Sequence, residues 1–292
     1  MKVTSFLTRF FSRVLLTILS LQLALGTQFA AAQAAPVAPV PADTHTNVSK
    51  SANGTPVVNI AAPNAAGVSH NLFTSYNVGT GGLVLNNSSV NAVSLIGGGT
   101  SANTNLAGGR AASLILNEVT AANPSTLAGY QEILGPSAEL VIANPYGITC
   151  NGCGFVNTPR VTLTTGVPTL NPNGALAGFT ISGGQLAIGA NGLDATRQST
   201  LDLLARSVSV AGNVIVGSQA NGISGDLQIL GGANRFDYAM RTATGIAGTG
   251  AVPQFAIDSS VLGGMYADRI RLLVNEHGAG VRIAGKSCGS RR

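Results

Sequence analysis

The sequence predicts an all-β protein wound as a β-solenoid of short strands, and three observations carry that prediction. Charged residues make up only 9% of the 292-residue chain, against about 25% in ordinary soluble domains. Amphipathic helices need Glu, Lys and Arg on their outer faces, so little material is left for them. Apolar, β-branched residues arrive instead in short bursts, at 57–60, 83–85, 93–96, 140–143, 161–164, 186–188, 208–210, 214–216, 227–230, 270–274 and 281–283. Between them stand turn signals: Gly pairs or runs at 81–82, 97–99, 108–109, 183–184, 231–232 and 263–264, and Asn-Gly at 53–54, 151–152, 173–174, 191–192 and 221–222.

An antiparallel sandwich or barrel also uses short strands, but the central bursts fall below the usual sandwich strand of about 5–6 residues. A solenoid needs no more than this, because each coil stacks its Val, Leu and Ile on the next while Asn, Thr and Ser ladder outside. Residues 111–119 (AASLILNEV) are the one candidate helix and read equally well as a strand.

Taken in chain order, residues 1–34 read as a signal peptide. Lys2, Arg9 and Arg13 precede an apolar stretch at 14–25, and small residues (Ala30-Ala31-Ala32, Ala32-Gln33-Ala34) offer cleavage sites. The stretch breaks at Gly26, short of the roughly 20 apolar residues a membrane span needs. An exported chain follows, secreted or at the cell surface. Removing those three cations takes the 16 basic residues to 13 against 11 acidic, so the net charge falls from +5 to +2. No basic cluster with interleaved aromatics remains, and nucleic acid is not an expected partner. Residues 35–55, rich in Pro, Ala, Ser and Thr, read as a flexible leader. Residues 56–285 read as the folded domain and 286–292 as a tail.

Catalytic patterns are weak. Residues 280–287 (GVRIAGKS) match G-x-x-x-x-G-K-[ST], but a phosphate loop needs a helix starting at its Lys-Ser, and Cys288-Gly289-Ser290 and the chain end at Arg292 leave no room for one. The carboxylates are scattered, so a polysaccharide-cleaving solenoid is disfavoured, although two aspartates on neighbouring coils can still meet in space. Arg235, Asp237 and Arg241 are expected to form an ion-paired structural network. Cys150 and Cys153 flank Asn151-Gly152, a favoured hairpin turn. In an exported chain they are expected to form a disulfide, with free thiols or half a metal site as alternatives. Cys288 is then left over. No metal or cofactor is expected.

The chain resembles the amino-terminal secretion domain of two-partner-secretion exoproteins: filamentous haemagglutinins, haemolysin-type proteins and contact-dependent inhibition toxins. The resemblance runs from Pro56 to about Gly285. It rests on PVVNI from Pro56, GVSHN from Gly67, YNV from Tyr76, GLVLNN from Gly82, IANP from Ile142, GITC from Gly147, GFVNT from Gly154, LTTG from Leu163, GANR from Gly232 and GGMY from Gly263. It implies a right-handed parallel β-helix with an amino-terminal cap and small extra-helical sheets. It also implies passage by the general export machinery, recognition by the periplasmic POTRA domains of an outer-membrane β-barrel transporter, and nucleation of β-helix folding outside the cell. The family's motifs N-P-N-L and N-P-N-G correspond to Asn103-Thr104-Asn105-Leu106 and Asn144-Pro145-Tyr146-Gly147, with Thr104 and Tyr146 as departures. Asn103, Asn105, Leu106, Asn144, Pro145 and Gly147 are therefore the candidate recognition or folding residues; as plain turns they need no further role. A stand-alone adhesin binding host cells or glycans is the alternative function.

Overall fold

The computed structural model describes residues 37–260 and 263–289; the signal peptide read at 1–34 lies outside the described residues. The strands stack into three long sheets. The first face runs from Val40–Pro41 and Val68–Ser75 through Leu114–Val119, Glu139–Ala143, Arg160–Thr164, Thr200–Leu204 and Asp226–Gly231 to Arg269–Val274. The second runs from Asn47–Lys50 and Pro56–Asn59 through Leu83–Asn86, Tyr130–Leu134, Cys153–Val156, Leu193–Ala195, Asn213–Val216 and Gly264–Ala267 to Lys286–Gly289. The third holds Ser125–Leu127, Ile148–Cys150, Gln185–Ile188, Ser207–Val210, Phe255–Ser259 and Gly280–Ile283. One pass over third, second and first face is a coil, as in Gln185–Ile188, Leu193–Ala195 and Thr200–Leu204, and coils pair in parallel. This is a parallel β-helix, as the short bursts predict.

The reason is visible in the register. Alternate residues of each strand point inward, so Leu140, Val161, Leu201 and Leu227 stack on one another, as do Ile142, Leu163, Leu203 and Ile229. Each such side chain, fully buried, contributes about 1.5–3 kcal/mol relative to exposure. A three-residue burst satisfies one face of one coil.

Two segments extend the helix beyond the expected limits. Val40–Pro41 and Asn47–Lys50, inside the stretch read as a flexible leader, pair antiparallel with Val68–Ser75 and Pro56–Asn59 and form the amino-terminal cap. Lys286–Gly289, read as tail, pairs in parallel with Gly264–Ala267. The backbone groups of both stretches are used by a sheet edge, which composition does not reveal. The candidate helix at 111–119 is strand Leu114–Val119. The phosphate-loop match falls on Gly280–Ile283 and Lys286–Gly289, strands on two different faces.

Two small sheets stand outside the helix. Val167–Leu170, Leu176–Ile181, Asn234–Asp237 and Thr242–Gly245 form an antiparallel sheet over the first face. Its Leu176, Phe179, Ile181, Phe236 and Tyr238 bury the outward Leu116, Val141, Leu204 and Leu230 in a second core. Ionic contacts surround this layer. Asp202, with no exposed surface, takes Arg241 at 2.7 Å and Arg160 at 2.9 Å, and Asp226 takes Arg241 at 3.1 Å and Arg269 at 2.6 Å. The expected network of Arg235, Asp237 and Arg241 is thus corrected. Arg241 pairs with aspartates of two helix coils, and Asp237 accepts from the Met240 amide. A strand and its turn bring Arg241 down onto the helix, a convergence that sequence proximity does not show.

The second extra sheet is the hairpin Ala92–Ser94 with Gly98–Thr100, whose Ala92 and Ile96 cover Val57, Val84 and Leu134. Its turn closes over the carboxylate of Glu132, which is buried on the second face. Ser94 Oγ donates to it at 2.5 Å, and the amides of Leu95 and Ile96 at 2.9 and 3.0 Å. Hydrogen bonds to a charged group contribute about 1.5–3 kcal/mol, so Glu132→Ala is expected to speed amide exchange at Leu95 and Ile96 at least about tenfold. Unchanged protection there shows instead that apolar packing alone holds the turn.

Candidate functional site

The first motif is a 3-10 turn, Thr104–Leu106, capped by Asn103. Asn103 Oδ1 accepts from the Asn105 amide at 3.0 Å, and its Nδ2 donates to the carbonyls of Ile60 and Asn86, both at 2.9 Å. Asn105 Nδ2 reaches the carbonyls of His45 at 3.0 Å, Ile60 at 3.1 Å and Asn59 at 3.2 Å. Leu106 is buried, while Thr104 is exposed. The two amides therefore staple the cap (His45), the corner of the first coil that follows its second-face strand (Asn59, Ile60) and the same corner of the second coil (Asn86) together. Thr104 in place of Pro leaves every one of these bonds intact.

The second motif repeats the chemistry at another corner. Asn144, fully buried, accepts from the Tyr146 amide at 2.9 Å and donates to the Asn123 carbonyl at 2.8 Å and Ser125 Oγ at 2.9 Å. The Gly147 amide returns to the Asn144 carbonyl at 3.1 Å. Gly147 has φ of 119°, a region that only glycine enters freely. Pro145 is half-buried, and Tyr146, the departure from the motif, points outward at 47% exposure. The motif turns the chain from the first face to the third and ties it to the preceding coil. The two motifs share no bonding partner in the described residues: one fastens the first two coils, the other the third.

Sequence reasoning missed the residues these motifs act on. Asn47, Asn59 and Asn86 stand in register on the second face, and their amides form a ladder with Asn86 Nδ2 to Asn59 Oδ1 and Asn59 Nδ2 to Asn47 Oδ1, both at 2.8 Å. Asn87 closes the next corner, accepting from the Ala112 amide and donating to the Ala112 and Pro136 carbonyls. The tandem Asn86-Asn87 after an apolar burst is the one signal that marks them.

Cys150 and Cys153 form the disulfide, with Cα atoms 5.5 Å apart. The hairpin expected between them is not present. Cys150 ends a strand of the third face and Cys153 begins one of the second, so Asn151-Gly152 is a corner between faces, not a turn between antiparallel partners. Both cysteines are buried in the central column. Next to this corner Tyr130 stacks against Gly154 and donates to Asp194 at 2.6 Å. Burial of Asp194 opposes its ionisation, but the Tyr130 hydroxyl and the Thr196 amide outweigh that and hold its pKa below the ordinary carboxylate value. A loop this short stabilises by about 2 kcal/mol at most in the chain-entropy picture. Cys150→Ala with Cys153→Ala is accordingly expected to lower the urea midpoint only modestly and to leave the fold intact by circular dichroism. Loss of the fold contradicts this. Cys288 is exposed, and among the described residues no group of three or more His, Cys, Asp or Glu is placed to hold a metal ion.

A family model described as "TPS secretion domain" matches residues 32–291. Among curated proteins, the "tRNA nuclease CdiA" of Yersinia mollaretii is 46% identical over 239 residues, 82% of this chain and 8% of that protein. The "16S rRNA endonuclease CdiA" of Enterobacter cloacae is 43% identical over 277 residues, 94% of this chain and 8% of that protein. Those names describe whole proteins of which this chain spans only 8% of the length. A crystal structure of a filamentous haemagglutinin secretion domain superposes with a TM-score of 0.79 at 42% identity, covering 86% of this chain and 83% of that one.

Proposed function

This chain belongs to the two-partner-secretion (TPS) secretion-domain family, and from that premise we propose that it is the amino-terminal secretion module of a longer exoprotein. Membership implies an outer-membrane transporter as partner and export to the cell surface or beyond. In the proposed route the chain reaches the periplasm through the general export machinery and is bound there, unfolded, by the transporter's POTRA domains. Outside the cell the cap and first coils fold first and seed the remaining coils.

The match over residues 32–291 carries this reading. The geometry supports the seeding step, because Asn103 and Asn105 join cap, first coil and second coil by hydrogen bonds that exist only once all three are in place. Such convergent bonds make the first coils cooperative. Among the motif residues Asn103, Asn105, Leu106 and Asn144 are largely buried or bonded, which favours a role in folding. Thr104 and Tyr146 are the exposed residues of the two folded turns and make no such bonds with their side chains. The stand-alone adhesin reading gains nothing from the matches.

The test is co-expression with a cognate transporter, following the chain in medium and periplasm beside a secretion-competent relative. Release into the medium only when the transporter is present is the expected result. Periplasmic retention of this chain while the relative is released defeats the proposal.

A further inference from the structure

Most of the interior is apolar, and the amide side chains within its stacked columns gather at the amino end, whereas toward the carboxy end the column between Val210 and Ile283 holds only the small hydroxyl of Ser259. On the first face Ile142, Leu163, Leu203, Ile229 and Leu272 stack in one inward column. Continued toward the amino terminus, that column holds Asn117 and then Asn71. On the second face Gln131 stands between Leu83 and Phe155.

Tyr76, fully buried, links these groups. It donates to Gln131 Oε1 at 2.6 Å and accepts from Asn117 Nδ2 at 3.1 Å. Burial pushes the phenol's pKa upward, so it remains a neutral hydroxyl that serves both bonds. Asn71 Oδ1 accepts from the Ala61 amide at 2.8 Å and from Thr46 Oγ1 at 2.9 Å, while its Nδ2 reaches the Leu116 carbonyl at 3.4 Å. The set therefore touches the cap and each of the first three coils.

Stability does not explain these side chains. Burying an amide gains less than burying the Leu or Ile that later coils place in the same column, and Asn117 Oδ1 and Gln131 Nε2 have no protein partner. Their distinctive property is that they fit at one place only. A strand with Ile and Leu inward stacks almost equally well on any coil with Ile and Leu inward, so sliding by a whole coil is weakly opposed. Sliding at the amino end sets Asn117 or Gln131 against an aliphatic wall, where a buried amide without partners is strongly disfavoured.

We infer that Asn71, Tyr76, Asn117 and Gln131 fix which coil stacks on which where the helix begins, acting as an index of coil register and not as a source of stability. A buried polar residue fixes the register of a coiled coil by the same physics. The inference deepens the seeding step of the proposed function and rests on it for its importance in the cell. Its test is independent of the transporter.

The test compares refolding from urea of the purified wild-type chain and a Tyr76→Phe, Asn117→Leu, Gln131→Leu triple variant. The expected result is an equilibrium midpoint equal to or above wild type, with a protease-sensitive, misfolded fraction during refolding about tenfold larger, the scale set by the lost penalty on wrong stacking. A wild-type refolding course overturns the inference, as does a lower midpoint with an unchanged course. If the triple variant does not fold, Tyr76→Phe alone decides: a larger misfolded fraction supports the inference and a wild-type course overturns it. A wild-type chain that refolds but is not exported with its transporter counts against the secretion route and leaves the register role standing.

Discussion

Asn103→Ala is expected to destabilise the module by about 3–5 kcal/mol, since it leaves several groups unpaired at about 1–3 kcal/mol each. The side chain is 1% exposed, so no solvent replaces what it supplies. The carbonyls of Ile60 and Asn86 lose a donor, and the Asn105 amide loses its acceptor. Urea unfolding gives the magnitude, and limited proteolysis gives the place, with early cleavage expected in the cap around His45 and Asn47. Asn103→Asp separates the contributions. It keeps the acceptor for Asn105 but cannot donate to either carbonyl, so it should fall close to the alanine variant. Asn105→Ala, at a half-buried position where water can enter, should cost distinctly less. Equal stability of Asn103→Ala and wild type refutes the view that the motif staples the cap.

The second large effect is expected at Asp202. Removing one member of a buried ionic group costs about 3–5 kcal/mol because the remaining charges stay buried without a partner. Asp202→Ala leaves Arg160 with no carboxylate nearer than Glu139 at 4.0 Å and Arg241 with Asp226 alone, although their side chains are only 12% and 15% exposed. Arg160 also lies over the Tyr238 ring at 3.8 Å, so the loss should loosen the extra-helical sheet before the helix beneath it. Amide exchange should rise first in Asn234–Asp237 and Thr242–Gly245. The same network predicts acid sensitivity through Asp226. Burial opposes its ionisation, but the Arg241 hydrogen bond and the charges of Arg241, Arg271 and Arg269 outweigh that and hold its pKa below the ordinary value. A depressed folded pKa means that the stabilisation is complete above the unfolded value of about 3.9 and disappears as pH falls through the folded pKa. Urea midpoints should therefore be level near neutrality and fall steeply below about pH 4, less so in Asp226→Asn. An identical acid limb in that variant places the sensitivity elsewhere.

The solenoid was legible because its signals are local. A burst of Val, Leu and Ile ended by Gly or Asn reports one strand of one coil, and the strands at Glu139–Ala143, Arg160–Thr164 and Asp226–Gly231 lie where such bursts stand. Strands without an apolar burst carry no such signal. Asn47–Lys50 is polar because it caps the stack, and Val68–Ser75 carries Ser69 and Asn71 inward. The motif residues were legible as turns, through Asn and Gly, but not as staples. Their partners Ile60, Asn86 and His45 lie 17 to 60 residues away along the chain. The pairing of Arg241 with Asp202 and Asp226 was hidden for the same reason. The disulfide is legible from its spacing in an exported chain, but its surroundings are not, because a face-to-face corner and a hairpin use the same Asn-Gly pair.

If the chain is exported by the proposed route, that corner bears on its passage through a narrow pore. Most disulfides tie distant segments, so an oxidised, unfolded chain carries a broad loop that must enter a channel doubled over. Cys150 and Cys153 are three residues apart in sequence, and oxidation makes only a compact knot whose width is little more than that of a single strand with bulky side chains. On the proposed route, the chain would be able to cross the outer membrane with this bond already formed, without carrying a wide loop. The coil corner at Asn151-Gly152 would then arrive outside already bent, ready to set the second face against the third.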